Sequence, residues 1–509
     1  MMKEIYLYER KTNKISDYNL WMVFPSLTEF SLSALGYLWL FKQLDETLDI
    51  NVERVCTDTK ITKPATEVDA IGVSFSFDFD FMGLFEILEK NKIPFKSKDR
   101  DNSEFKNLLI FGGGPVLTAN PKPYSDFFDF ILIGDGDELN KTVLDVCKKC
   151  KKENKTKDET LKLISELEGI YVPKYPKKVK KSCCKIKETV HTPILSEDSF
   201  FSKTFILEVS RGCPNRCGFC IASYLNMPVR FADYDDIISK INMGLKHTNK
   251  IALLGALVSS HPKFYDIIDY VGGLINSGQN IEMSISSIRA DALTPKVIQT
   301  LVSAGQQTLT IAIEAGSERL RKVVNKNLTE DQIKNAVKMC RENKLKGLKI
   351  YSIIGLPTET DEDIKEFIRL AKVLKEENKG FNLTFSFSTF VPKPHTPFQF
   401  CERANTKELE KKEQYLKKEF HKLGISARFS STKWDYYQAV LSNGDETLGD
   451  YLVGVYKKGG KLGAFRSVAK DLGLDVGKFI CGNSDDGIID MLPNEDYLVK
   501  EYERLIQNN

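Results

Sequence analysis

Histidine is scarce in this sequence: five residues of 509, and none before His191. The amino-terminal third therefore has no imidazole to offer a metal or a cofactor. Excess charge of one sign is also missing. A formal net charge of +3 over this length excludes a chain that binds polyanions along its whole surface. No apolar run is long enough to span a membrane, and the start, Met1-Met-Lys-Glu-Ile-Tyr, lacks the basic-then-apolar layout of a signal peptide, so residence in the cytoplasm is expected. A hydrophobic content of 42% leaves no domain-sized stretch that reads as disordered. The length exceeds one ordinary core and predicts two or three domains.

The eleven cysteines do not form a small disulfide framework in an intracellular chain of this size. Three of them crowd one segment, Cys213-Pro-Asn-Arg-Cys217-Gly-Phe-Cys220. A closed zinc site needs four ligands, and none completes this set: the next histidine is His247 and the next cysteine Cys340. Three thiolates at C-x3-C-x2-C spacing suit an iron–sulfur cubane with one iron left free to take a small molecule. The other notable cysteines, Cys147-x-x-Cys150 and the Cys183-Cys184 pair, sit among lysines without a recognisable redox setting.

Between residues 199 and 400 short β-branched runs alternate with helical patterns. The strands expected are Phe205 to Val209, Ile251 to Leu254, Ile281 to Ile285, Thr308 to Ile313, Lys349 to Ile354 and Leu383 to Phe387. Such alternation predicts a parallel sheet with crossover helices. The cysteine loop follows the first strand, which puts it at the carboxyl edge where parallel α/β barrels gather their sites.

The segment Glu208-Val-Ser-Arg-Gly-Cys213 through Cys220 resembles the radical S-adenosylmethionine (radical SAM) superfamily. The resemblance implies a partial (β/α)6 TIM-type barrel, a [4Fe–4S] cluster on Cys213, Cys217 and Cys220, and reductive cleavage of SAM bound at the open iron. It also implies SAM contacts by position. Phe219 would lie beside the adenine, Ser286 and Arg289 follow the third strand, and Glu314-Ala-Gly-Ser317 resembles an E-x-G-S segment. Gly355-Leu-Pro357-Thr-Glu359-Thr360 resembles a G-x-P-x-E-T turn. Where the family often carries Gly-Gly-Glu, this chain has Leu254-Gly255-Ala256-Leu257, so Gly255 supplies backbone alone. Structural explanations compete at several positions: a core role for Phe219, a surface ion pair for Arg289 and a helix cap for Ser317.

Residues 1–150 carry five further strand-like runs, with glycine turns at Gly112-Gly-Gly-Pro115 and Gly134-Asp-Gly-Asp-Glu138. This is a Rossmann-like, doubly wound pattern. Together with Phe24-Pro-Ser-Leu, Leu35-Gly36 and Gly72-Val-Ser-Phe-Ser-Phe77 it resembles the amino-terminal domain of cobalamin-binding radical SAM proteins. Those that ligate cobalt through a side chain use D-x-H-x-x-G, which is absent here. Cobalamin without a histidine ligand from residues 1–150, a different ligand, and an empty domain remain open.

Residues 151–198 read as a lysine-rich linker; from Lys141 to Lys187 fifteen lysines face six acidic residues, which suits a solvated face better than an RNA site. Residues 401–509 are expected to form a small, mainly helical carboxyl-terminal cap, and His395, at the end of the barrel, is expected in a turn. The function that follows is radical SAM chemistry, by methylation or rearrangement, on a substrate the sequence does not name, with a low-potential electron donor of flavodoxin or ferredoxin type. The alternatives are a methylthiotransferase acting on tRNA or protein, for which the amino-terminal region offers only Cys56, Cys147 and Cys150, and a non-enzymatic iron–sulfur or RNA-binding scaffold.

Overall fold

The computed structural model describes residues 4–11, 16–482 and 487–507. Met1 to Lys3, part of the segment behind the expectation of no signal peptide, lie outside them. No helix among the described residues is long and apolar enough to cross a membrane.

The amino-terminal strands are β1 (Asn19–Val23), β2 (Asn51–Val55), β3 (Ala70–Ser74), β4 (Leu109–Gly113), β5 (Phe130–Leu132) and β6 (Ile170–Tyr171). They pair in the order β2-β1-β3-β4-β5-β6, all parallel except the last. Strand order reverses between β1 and β3, and in open α/β sheets a crevice forms outside the carboxyl ends at such a point. Alternation along each strand feeds two cores. Leu20, Met22, Phe111 and Leu132 pack with helices α1 (Leu35–Asp45) and α3 (Gly136–Lys152). Trp21, Val23, Ile71 and Val73 pack with α2 (Phe81–Lys90).

The barrel strands are β7 (Phe205–Arg211), β8 (Lys250–Gly255), β9 (Glu282–Ile285), β10 (Thr308–Glu314), β11 (Gly347–Ile354) and β12 (Asn382–Thr389). They fall into two parallel sheets, β7-β8-β9 and β10-β11-β12, with β9 and β10 unpaired, so the barrel is partial and its lumen open. The outward faces pack on helices α4 (Tyr234–Leu245), α5 (Phe264–Asn276), α6 (Pro295–Ser303), α7 (Glu330–Glu342) and α8 (Asp361–Glu377) in one core.

The carboxyl-terminal part does more than the expected cap. After α9 (Thr406–Lys422), strand β13 (Ser426–Phe429) adds to the barrel beside β12. Helices α10 (Thr432–Asn443), α11 (Leu448–Lys457) and α12 (Leu462–Asp471) then bury Val440, Tyr451 and Phe465 in the core beneath the amino-terminal sheet. Helical amphipathicity forecasts a buried face but not the partner it meets. The amino-terminal sheet likewise continues past residue 150 to β6, because Ile170 and Tyr171 pair back on β5. The intervening lysines are largely tied up: Lys148 pairs with Asp49 and Asp145, Lys151 with Asp69, and Lys157 with Asp101 and Asp129.

Candidate functional site

Strand β7 ends one residue before Gly212, whose φ of +81° and whose approach to the Asn226 carbonyl admit no side chain. The chain then enters the cysteine loop. Neighbouring segments fix this loop independently of its thiols. The Tyr224 hydroxyl donates to the Arg216 carbonyl at 2.9 Å, Asn325 Nδ2 donates to the carbonyls of Asn215 and Arg216 at 3.0 and 2.9 Å, and the Gly218 N–H donates to the Val324 carbonyl at 3.1 Å. A Cβ on Gly218 would strike the Phe398 ring and Leu505 of the last helix, α13 (Glu495–Gln507).

Cys213 and Cys217 are buried, Cys220 is half-buried, and all three are free thiols. Among the described residues no three histidine, cysteine or acidic side chains close on a single metal ion. Burial pushes the Cys217 thiol up to about 12, Lys326 opposes the shift, and Cys220, Glu314 and Cys213 add to it. Burial also raises Cys220. Three thiolates so placed repel one another, and iron ions would supply the positive charge that stabilises them while releasing the thiol protons.

Lys326 was not legible as a site residue in the sequence, since it follows a short helix (Glu318–Val323) rather than a strand. It lies in Asn325-Lys326-Asn327, whose two asparagines have positive φ, and its Nζ donates to Glu314 Oε1 at 2.9 Å. Glu314 sits at a strand irregularity with φ of +66°, a conformation retained where surroundings over-determine it. The Lys326 carbonyl accepts from both terminal nitrogens of Arg289 at 3.2 Å. Asp291 takes Nε and Nη2 of the same guanidinium at 2.9 Å each, leaving one of the five N–H donors of Arg289, on Nη1, for a ligand. Arg289, Lys326, Glu314 and Cys217 thus form one neighbourhood.

The other expected residues are placed as follows. Phe219 packs against the buried cluster that includes Leu356 and Phe398. The Gly255 carbonyl accepts from Ser287 at 3.1 Å and from Ser286 at 3.4 Å. Ser317 caps the Glu318–Val323 helix and donates to Asp363, so its hydroxyl serves the fold. Gly355, with φ of +76°, donates its N–H to the Glu359 carboxylate, which Lys412 neutralises at 2.7 Å, and this brace shapes the turn that holds Pro357. His395 lies in a turn with φ of +59° and shares a 3.0 Å hydrogen bond with the Ala119 carbonyl.

A cavity of about 630 Å³ lies between the carboxyl edge of the amino-terminal sheet and the barrel mouth. Its walls are mostly apolar or glycine: Met22, Leu40, Phe111 and Gly113 on one side, Leu254 and Gly255 on the other. No histidine lines it among the described residues. A Cβ on Gly36 would meet nothing within 4 Å, and the buried Ser210 hydroxyl that lines the cavity has no partner.

The Gly134-Asp-Gly-Asp turn clamps the root of the cysteine loop. Arg211, two residues before Cys213, donates to Asp137 at 2.7 and 3.1 Å and to Glu208 at 2.9 and 3.0 Å. Asp135 binds Arg230 and the Cys184 N–H.

Two family models match the chain: "Radical SAM proteins, N-terminal" over residues 40–173 and "Radical SAM superfamily" over residues 207–371. The uncharacterized protein MJ0966 of Methanocaldococcus jannaschii is 30% identical over 443 residues, which cover 85% of this chain and 90% of that protein. The chain belongs to the radical SAM superfamily and is a radical SAM enzyme. The uncharacterized methyltransferase PH0819 of Pyrococcus horikoshii is 25% identical over 69% of this chain and 75% of its own length. A tRNA-2-methylthio-N(6)-dimethylallyladenosine synthase of Anaplasma phagocytophilum is 26% identical over only 38% of this chain and 44% of its own length. Among solved structures, the cobalamin-dependent SAM radical enzyme OxsB, with aqua-cobalamin and SAM bound, matches with a TM-score of 0.55 at 16% identity, over 96% of this chain and 79% of that one. At that identity the likeness concerns the fold.

Proposed function

We propose that the chain holds a [4Fe–4S] cluster on Cys213, Cys217 and Cys220 and uses it to cleave SAM, with methylation or rearrangement of a substrate in the barrel lumen as the outcome. When bound, the cluster supplies one electron to the SAM sulfonium, and methionine and a 5′-deoxyadenosyl radical result. The observation that carries this reading is the convergence of the cysteine loop with Lys326, Glu314 and Arg289. Lys326 and the remaining Arg289 donor offer positive hydrogen-bond donors to a carboxylate, and Glu314 offers an acceptor to an amine. Phe219 and the turn of Gly355 and Pro357 supply the apolar and backbone surface for an adenine, with Gly255 and Ser286 closing the opposite wall. An electron donor of flavodoxin or ferredoxin type would deliver the reducing equivalent.

Cobalamin is the group proposed for the cavity between sheet and barrel. The open face of Gly36 gives room for a flat ring, and Ser210 is an unused hydrogen-bonding group for its periphery. The chain's role there is to exclude water and orient; no histidine from residues 1–150 can reach cobalt. A methylthiotransferase reading gains no support from the amino-terminal cysteines. Cys147 and Cys150 are buried along α3, and Cys56 is buried just past β2, beside Thr59.

Anaerobic reconstitution followed by low-potential reduction with SAM tests the reading. Wild type should yield 5′-deoxyadenosine and Cys217→Ala none; undiminished product from Cys217→Ala would refute the assignment.

A further inference from the structure

The inward faces of the two barrel sheets differ in chemistry. On the β7 side, Ile206 and Ala252 pack with Leu35 and Trp39 of α1, which covers that part of the face with apolar side chains. The face of β10–β13 is open and polar. Leu348, Ile350 and Ile354 of β11 pack outward on the helices, which turns Lys349, Tyr351 and Ile353 inward. The register aligns two cross-strand rows: Thr310, Lys349, Thr384 and Ser426, then Ala312, Tyr351, Ser386 and Arg428. Tyr351 is 44% exposed although it lies in mid-strand inside a barrel.

Lys349 Nζ donates to the Tyr351 hydroxyl at 3.1 Å and sits 4.7 Å from the centre of its ring. Among the described residues neither Lys349 nor Arg428 makes an ion pair. The four strands contain one acidic residue, Glu314, which lies at the far carboxyl end and is matched by Lys326. Adjacent strands stand about 4.8 Å apart and the two rows lie two residues apart along the strands, so the Lys349 and Arg428 backbones are separated by roughly 12 Å, within the combined reach of two long side chains. Two cations without an ion pair on a face that also carries hydroxyls concentrate negative charge, and an ammonium and a guanidinium fork are each suited to phosphate or carboxylate.

We propose that this face is the substrate site and that the substrate is a small molecule bearing an anionic group, phosphate or carboxylate, held by Lys349 and Arg428 with Tyr351 and the threonine and serine hydroxyls around it. The inference rests on the SAM-cleaving reading and adds the substrate class.

The test uses reconstituted holoenzyme and an ultrafiltered small-molecule extract of the producing cells, divided on an anion exchanger at neutral pH. The readout is stimulation of 5′-deoxyadenosine formation. Product formed by wild type without extract establishes SAM cleavage separately, so a failure of that reading is distinguishable from a failure of this one. The expected result is stimulation by the retained fraction, weakened roughly ten- to a hundredfold in the concentration required by Lys349→Met and by Arg428→Met, and largely kept by Lys349→Arg. Phosphatase treatment separates the two sources: loss of stimulation identifies a phosphate, persistence a carboxylate. Stimulation by the unretained fraction alone, by no fraction, or equally in the methionine variants and wild type overturns the proposal.

Discussion

The amino-terminal sheet and the barrel face each other across one cavity with carboxyl edges of opposite character. The barrel edge carries thiols, Arg289, Glu314 and the nearby Lys326; the amino-terminal edge carries mostly glycines and apolar side chains, with Asp135 and Asp137 taken up by Arg230 and Arg211, and, among the described lining residues, no histidine or cysteine. A carboxyl edge in an α/β fold is therefore a place, and its residues decide whether chemistry or accommodation happens there. The barrel edge is built to hold charge, and the amino-terminal edge to make room.

Filling that room should have the largest effect. Gly36→Trp places an indole where no atom now lies within 4 Å of an added Cβ, at a helical position with no positive φ. Wild type should retain hydroxocobalamin through gel filtration, and the variant should lose it. Full retention by the variant would show that the ligand lies elsewhere.

On the barrel edge, Arg289→Ala and Lys326→Ala should each weaken SAM binding roughly ten- to a hundredfold, the worth of one charge-assisted contact, as read by calorimetry on reconstituted protein. Unchanged affinity in both would make this neighbourhood purely structural.

One link between the edges is Asp137. Asp137→Asn breaks a two-pronged contact to Arg211 and should cost about 1.5–3 kcal/mol in urea unfolding. An undisturbed midpoint would mean that the Asp137 contact adds nothing to the Asp135–Arg230 pair and the apolar packing that also join the two edges.

The smallest effect concerns Asp80, immediately before α2. Burial raises its carboxyl to about 6, opposed by the N–H groups of Phe77 and Ser76 and reinforced by Asp78. The folded state holds this proton more tightly than the unfolded state, so the stabilisation is full below about pH 4 and is lost as pH rises through 6. Asp80→Asn should therefore be about 1–2 kcal/mol more stable than the parent near neutral pH, with the gain vanishing in acid, as urea midpoints across pH would show.

Much of the fold was legible because a parallel sheet writes itself as short β-branched runs separated by amphipathic helices. The expected strands at 205, 251, 281, 308, 349 and 383 agree with the observed ones within a few residues. Long-range relations left weaker marks. Nothing in α10–α12 marks them as partners of the amino-terminal sheet, and β13, four residues long after a charged helix, is too short a run to show a period. At the site, the cysteine spacing was its own signal. Lys326 was not, because its relevance comes from a loop folding back 12 residues to Glu314. The Gly134-Asp-Gly-Asp-Glu138 turn was legible from its glycines, while the partners of Asp135 and Asp137, Arg230 and Arg211, lie more than 70 residues away.

The open iron is the central claim, and Mössbauer spectroscopy of the reconstituted, oxidised protein with and without SAM examines it directly. One iron of about four, the one without a cysteine ligand, should change its spectrum when SAM is added, while the others stay as they were. Four irons equally unaffected by saturating SAM would contradict the account.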